Sequence, residues 1–254
     1  MQSYKKKYGQ HFLHDKNIIR KIISVVQPKK NDDFIEIGPG AGALTNPLVD
    51  KVDRITLIEK DIDLIPLLKK QFSIYESVNV LQEDILKCNL MDLVHDETRI
   101  IGNLPYNIST EIIFKIISIS SKVKDLHFML QKEVVDRMIA SPGSKTYGRL
   151  SIMVQVYFEV EKLFDISPNV FIPKPKIQSS YIKMAPKVYG FKNSEHETKF
   201  RKIVLVAFTA RRKMIKTSLK DYIDNNMLES LLINPNSRPE NLTIEEFLQI
   251  AKHI

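Results

Sequence analysis

The chain has 254 residues, 43% hydrophobic and 27% charged, with a formal net charge of +8. That composition excludes a disordered chain. The lack of any apolar run near the ~20 residues of a membrane span argues against a membrane protein. A single cysteine, Cys88, rules out an internal disulfide and a cysteine-cluster metal site, and the six histidines show no HxxxH spacing.

In chain order, residues 15–27 predict an amphipathic helix, with Ile18, Ile19, Ile22, Ile23 and Val26 at helical spacing and Pro28 beyond its end. Residues 33–37 read as a short apolar strand running into a glycine turn. Strands follow at 54–59, 78–82, 98–101 and 125–130, alternating with helix-like runs at 61–72 and 109–120. This alternation predicts an α/β fold with a parallel sheet covered by helices on both faces. Helices are expected at 132–140 and 149–158. Pro168, Pro173 and Pro175 make 166–178 an extended loop, and 179–184 reads as a closing strand. A linker at 186–190 leads to a small all-α C-terminal domain. The expected division is 1–187 and 188–254.

The charge is uneven. Residues 1–30 carry a net +7, residues 31–189 a net −2 and residues 190–254 a net +3. Lys199–Lys220 holds eight Lys/Arg and no acid. Such a block is an expected footprint for nucleic-acid phosphates, centred on Arg211, Arg212, Lys213 and Lys216, with Lys5, Lys6 and Lys7 sharing the load. A solvated helix face is the plainer alternative.

Three motifs carry chemistry. Glu36-Ile-Gly38-Pro-Gly40-Ala-Gly42 follows the first strand of the alternation. Its G-x-G-x-G spacing differs from the G-x-G-x-x-G of pyrophosphate binders, so it suits a nucleoside cofactor without pyrophosphate better than NAD. Glu59 ends the second strand, 21 residues after Gly38, where an acid can accept both ribose hydroxyls. Asp84, after the third strand, is the candidate for the exocyclic amine of the cofactor's adenine. The most specific motif is Gly102-Asn103-Leu104-Pro105-Tyr106-Asn107 after the fourth strand. An amine conjugated to a ring is a poor nucleophile. The Asn103 side chain and the Leu104 carbonyl can accept its N–H bonds and free the lone pair. Pro105 stiffens the loop, and Tyr106 can stack on the base through its ring face rather than its hydroxyl.

These residues resemble the rRNA adenine-N6 dimethyltransferases, and the likeness covers almost the whole chain. It runs through Tyr8-Gly-Gln-His-Phe-Leu13, the two motifs above, His127–Val135, Tyr147–Ser151, Phe171-Ile-Pro-Lys-Pro-Lys176 and Ala207-Phe-x-x-Arg-Arg-Lys213. The chain is most similar to members that modify small-subunit rRNA. The resemblance implies a Rossmann-like S-adenosylmethionine-dependent methyltransferase sheet with a small helical RNA-binding domain. It implies cofactor contacts at His11, Leu13, Gly38, Glu59, Asp84 and Asn103, and a target base held by Asn103, Leu104, Pro105, Tyr106 and Phe171. It implies two adjacent adenosines near the 3′ end of 16S rRNA as substrate. The single cysteine points to a reducing cytoplasm, the scattered histidines to no metal, and a monomer is expected. The family often has Asn where this chain has His11, and Ile177-Gln-Ser-Ser-Tyr departs from the usual Val-Asp-Ser. Macrolide-resistance methyltransferases of large-subunit rRNA share the chemistry but more often carry Ile at the place of Leu104. A non-catalytic ribosome-assembly factor is a rival of another class, disfavoured by the intact acids and loop.

Overall fold

The computed structural model describes residues 11–187 and 190–254. Lys5, Lys6 and Lys7, and the start of the Tyr8–Leu13 motif, lie outside the described residues.

Strand β1 (Phe12–Leu13) leads into helix α1 (Lys16–Val26). Asp15 caps that helix, accepting from the N–H groups of Asn17 and Ile18. The helix ends at Gln27, whose φ of 48° stops it one residue before Pro28. Strand β2 (Asp33–Ile37), helix α2 (Thr45–Leu48), strand β3 (Arg54–Glu59), helix α3 (Ile65–Gln71) and strand β4 (Val78–Gln82) follow. Then come β5 (Thr98–Asn103), α4 (Ser109–Ile116), β6 (Val123–Gln131), α5 (Lys132–Met138), α6 (Arg149–Tyr157), β7 (Phe158–Ile166), β8 (Phe171–Ile172) and β9 (Ser179–Pro186). The five predicted strands of the alternation, β2 to β6, thus fall where apolar periodicity puts them, as do helices α1, α3 and α4. Two features differ. Residues 158–166 form a strand, and part of the expected loop pairs with the chain's beginning: β8 runs antiparallel to β1, with Leu13 opposite Phe171.

The main sheet has seven strands in the order β4-β3-β2-β5-β6-β9-β7. The pairs β2–β3, β3–β4, β2–β5 and β5–β6 are parallel, whereas β9 is antiparallel to β6. The chain winds outward from β2 in both directions, so a crevice forms beyond the carboxyl ends of β2 and β5, the place where open α/β sheets bind ligands. An apolar core behind it includes Ile22, Val26, Phe34, Leu57, Ile101, Met129 and Tyr181.

The chain divides into two compact units. One takes the residues up to Val135 together with Glu159–Pro186; the other takes Asp136–Phe158 together with Lys187–Ile254. The expected division at 187–188 therefore misplaces one segment. Helix α6 is apolar on nearly every side and buries Leu150, Ile152, Met153, Val154, Val156 and Tyr157. Such a helix is the middle of a helical core, not the cover of a sheet. It packs on α7 (Ser194–Thr209), as does α10 (Ile244–Lys252). Short helices α8 (Ile215–Ser218) and α9 (Asn225–Ser230) complete this unit. Asn193 caps α7, and a reciprocal Thr243–Glu246 pair caps α10. Among the described residues no helix is long and apolar enough to cross a membrane.

Candidate active site

One cleft opens at the crevice of the first unit. His11, Leu13, Gly38, Glu59, Asp84, Asn103, Leu104, Pro105 and Tyr106 all line it, with Glu36 at its floor. The structure thus gathers nine of the ten sequence-derived cofactor and base residues of this unit. Phe171 is the exception. It is 2% exposed and sits in the apolar core with Leu13, Phe34 and Met129. An aromatic ring opposite Leu13 in a two-residue ladder is drawn into the core, and Phe171 does not line the cleft.

The glycine turn is shaped by its backbone. Gly38 and Gly40 have φ of 67° and 59°, conformations that a side chain resists. A Cβ on Gly40 would also stand 2.8 Å from the Phe12 ring. The Gly40 N–H donates to Glu59 Oε2 at 3.1 Å, and the Asp61 N–H donates to Oε1 at 2.8 Å. Glu59 is buried. Burial pushes its carboxyl above the ordinary value, and these amides only partly offset that. Asp84 is different: Lys60 Nζ lies 2.8 Å away and holds its carboxyl below the usual range.

Glu36 gave no signal of its own beyond its place in the glycine motif. It is 2% exposed, and Thr45 Oγ1 donates to Oε2 at 2.6 Å. Burial raises its carboxyl to about 7, against the Thr45 hydroxyl and with a contribution from Glu59. An acid placed inside an otherwise apolar strand is the signal that could have found it.

At the other wall, Asn103 Nδ2 donates to the His11 carbonyl at 2.7 Å. A carbonyl only accepts, so this bond fixes which way the carboxamide faces. Oδ1 is left as an acceptor on a cleft-lining residue. The Leu104 N–H donates to the Met129 carbonyl at 3.2 Å, which ties the loop to β6. Tyr106 Oη lies 2.6 Å from Ser179 Oγ, and the Tyr106 ring is 5.2 Å from that of His11. Burial raises the Tyr106 phenol, partly offset by Ser179. The expectation is that the ring face rather than the hydroxyl holds the base; the hydroxyl itself is paired with Ser179 and anchors the ring. Ser179 belongs to the segment that departs from the family pattern. His11 Nδ1 in turn donates to the Pro173 carbonyl at 2.6 Å.

In the second unit, the basic block is partly engaged. Arg211 donates to Glu240 Oε2 and to the Lys145 carbonyl, both at 2.7 Å. Lys199 pairs with Glu195 and Arg201 with Glu197, and Lys202 lies over the Tyr222 ring. Arg212 and Lys213 are exposed, and Lys216 is half-buried. Arg211 thus braces the helical unit, and the cations open to solvent are its neighbours.

The sequence profile of a family described as "Ribosomal RNA adenine dimethylase" matches residues 1–254. A ribosomal RNA small subunit methyltransferase A from Marinomonas sp. (strain MWYL1) is 41% identical over 252 residues, which cover 98% of this chain and 95% of that protein. The protein of the same name from Dechloromonas aromatica (strain RCB) is 42% identical over 250 residues, covering 98% and 97%. Among solved structures, a dimethyladenosine transferase from Plasmodium falciparum matches with a TM-score of 0.81 and 27% identity, over 94% of this chain and 96% of that one. The 23S rRNA methyltransferase ErmE matches with a TM-score of 0.72 and 21% identity, over 95% and 98%, and shares the fold.

Proposed function

Because the chain belongs to the ribosomal RNA adenine dimethylase family, we propose that it transfers methyl groups from S-adenosylmethionine to N6 of two adjacent adenosines in the 3′-terminal hairpin loop of 16S rRNA. The fixed carboxamide of Asn103 carries this reading. With Nδ2 held by His11, Oδ1 accepts one N–H of the target amine, and the Leu104 carbonyl accepts the other. The amine is drawn toward tetrahedral geometry and its lone pair is released from the ring. The Tyr106 ring, anchored by Ser179, stacks on the base. No base is needed during transfer, because the nitrogen becomes acidic only once methylated.

The cleft fits the cofactor. Glu59 would hold the ribose hydroxyls and Asp84 the adenine amine, while the Gly38 turn would admit the amino-acid end close to the backbone. When bound, S-adenosylmethionine supplies the electrophilic methyl group.

In the second unit, Arg212, Lys213 and Lys216 hold rRNA phosphates, with Lys5, Lys6 and Lys7 as further contacts. In this reading the protein acts in the cytoplasm, without a metal, as a monomer. The test is methyl transfer to purified under-methylated small subunits, large subunits and naked rRNA, with modified nucleotides mapped. N6-dimethyladenosine at two adjacent sites of the small subunit is expected. Modification confined to the large subunit would overturn the reading.

A further inference from the structure

Between β8 and β9 the chain runs Pro173-Lys-Pro-Lys-Ile-Gln178. Both ends of this loop are tied to residues that line the cleft. The Pro173 carbonyl accepts from His11 Nδ1 at 2.6 Å, and Ser179 Oγ lies 2.6 Å from Tyr106 Oη. The Lys132 N–H adds a third tie, to the Gln178 carbonyl at 2.9 Å. Pro175 is buried and pins the middle. Two prolines fix two φ angles, so the loop is ordered before any ligand arrives.

What the loop presents is unusual for a surface turn. Ile172 is 49% exposed and Ile177 43% exposed. Lys174 and Lys176 are exposed, and among the described residues neither has an anionic partner. Lys60, at the other side of the cleft, is by contrast taken up by Asp84. No acid occurs in the sequence between Asp165 and Glu195. The surface is cationic and apolar together, on a rigid frame, beside the place where a base is held.

An adenosine that enters a closed pocket leaves its stack, and its neighbours lose a stacking face. The phosphates on either side must be held in register with the pocket. Building on the function proposed above, we propose that the 172–178 loop grips the single-stranded RNA flanking the target adenosine. Lys174 and Lys176 hold the flanking phosphates, and Ile172 and Ile177 cover the face of a neighbouring base left bare. The loop thereby couples RNA seating to base seating, because His11 and Tyr106 join both.

The test uses the full chain and the double variant Lys174→Gln/Lys176→Gln. Binding to under-methylated small subunits is measured against salt, alongside affinity for S-adenosylmethionine and KM for the subunit. Two lost phosphate contacts in a single-stranded region should flatten the slope of log K against log salt by about 1.4. From 50 to 200 mM salt, wild-type affinity should then fall about sevenfold more than that of the variant. KM for the subunit should rise and cofactor affinity should stay the same. Lys174→Arg/Lys176→Arg should restore the slope. A Gln variant with the wild-type slope and KM overturns the loop's role and leaves the functional reading standing. Wild-type protein that makes no dimethyladenosine on the same subunits refutes both.

Discussion

The central sheet buries charged side chains at both ends, and the two ends differ in how those charges are met. At the amino ends of β2, β5 and β6, Arg99 donates to both oxygens of Asp125 at 2.7 and 2.8 Å and to Asp32 at 2.6 Å. It also reaches the Val26 carbonyl and lies over the Phe34 ring. At the carboxyl ends, Glu36 and Glu59 are as deeply buried but are met by a hydroxyl and by amides, with no salt bridge to a cation among the described residues. A saturated charge holds its neighbours in place. A buried acid with no counter-charge keeps its capacity for a ligand, and costs stability until one comes. Burial of charge alone does not mark a site; burial without a partner of opposite sign does.

The largest effect should come from breaking the saturated end. Arg99→Met removes the short bonds to both buried acids, leaving as basic partners only Lys124 for Asp32, at 3.7 Å, and His127 for Asp125, at 3.5 Å, and should cost about 3–5 kcal/mol of stability. Urea unfolding at pH 7 checks this, and a loss below about 1 kcal/mol would show that the network does not brace the sheet. Burial acts to raise the Asp125 carboxyl, but the contact with His127 and the Arg99 bonds and charge outweigh it, so it lies below its ordinary value. Its contribution is therefore present above about pH 4 and lost as acid protonates the folded form.

Asn103→Ala, at the open end, should leave stability nearly unchanged and lower kcat by roughly 10²–10³, as for other donors and acceptors aimed at a reacting group. Single-turnover rates and subunit binding separate the two. Weakened binding with the transfer rate preserved would show that the carboxamide positions RNA only.

Glu36 should show a pH dependence of the opposite sign to Asp125. Its folded value of about 7 lies above the ordinary 4.5. Stability is thus full below pH 4.5 and declines as pH rises to about 7. Glu36→Gln keeps the acceptor for Thr45 and removes the charge. It should stabilise the ligand-free protein at pH 8 by about 2–3 kcal/mol and have little effect at pH 4.5. Melting curves at both pH values check this; equal differences at the two would remove Glu36 from the comparison.

Glu59→Gln should weaken S-adenosylmethionine binding by about 1.5–3 kcal/mol, the worth of a hydrogen bond to a charged group. Calorimetry reads it directly. The smallest effect is expected for Tyr106→Phe, which loses one hydroxyl pair worth about 0.5–1.5 kcal/mol. A two- to tenfold drop in kcat/KM should appear. Ser179→Ala should match it, and the double variant should be no worse than either alone.

Strands β2, β3 and β4 were legible to the residue: β2 and β3 are short apolar runs buried on both faces, and β4, at the sheet edge, is a short run rich in Val and Leu between acidic turn residues with no charge inside it. The convergence of Gly38, Glu59, Asp84 and Asn103 followed from the same alternation, since all four lie at carboxyl ends near the switch in strand order. Strand β7 was not legible. It is an edge strand, and Glu159, Glu161, Lys162 and Asp165 break its apolar run as edge strands tolerate. Strands β1 and β8 are two residues long and carry no period at all. The surroundings of Phe171 and Arg211 were not legible for one reason: a motif names a residue type, but only packing shows what the side chain already touches, the core for Phe171 and Glu240 for Arg211.

Gly102 sits where β2 and β5 part, one toward the glycine turn and the other toward Asn103. A Cβ on it would stand 2.7 Å from the Ile37 carbonyl, so the two strands meet there with no room for a side chain. Those strands carry the two banks of the reaction, the donor's and the acceptor's. Their gap is gauged by the smallest residue in the alphabet. Reacting atoms must come within about 3–3.5 Å, and a slip of about 1 Å can cost a hundredfold in rate. A single hydrogen on Gly102 thus sets the clearance between the two banks.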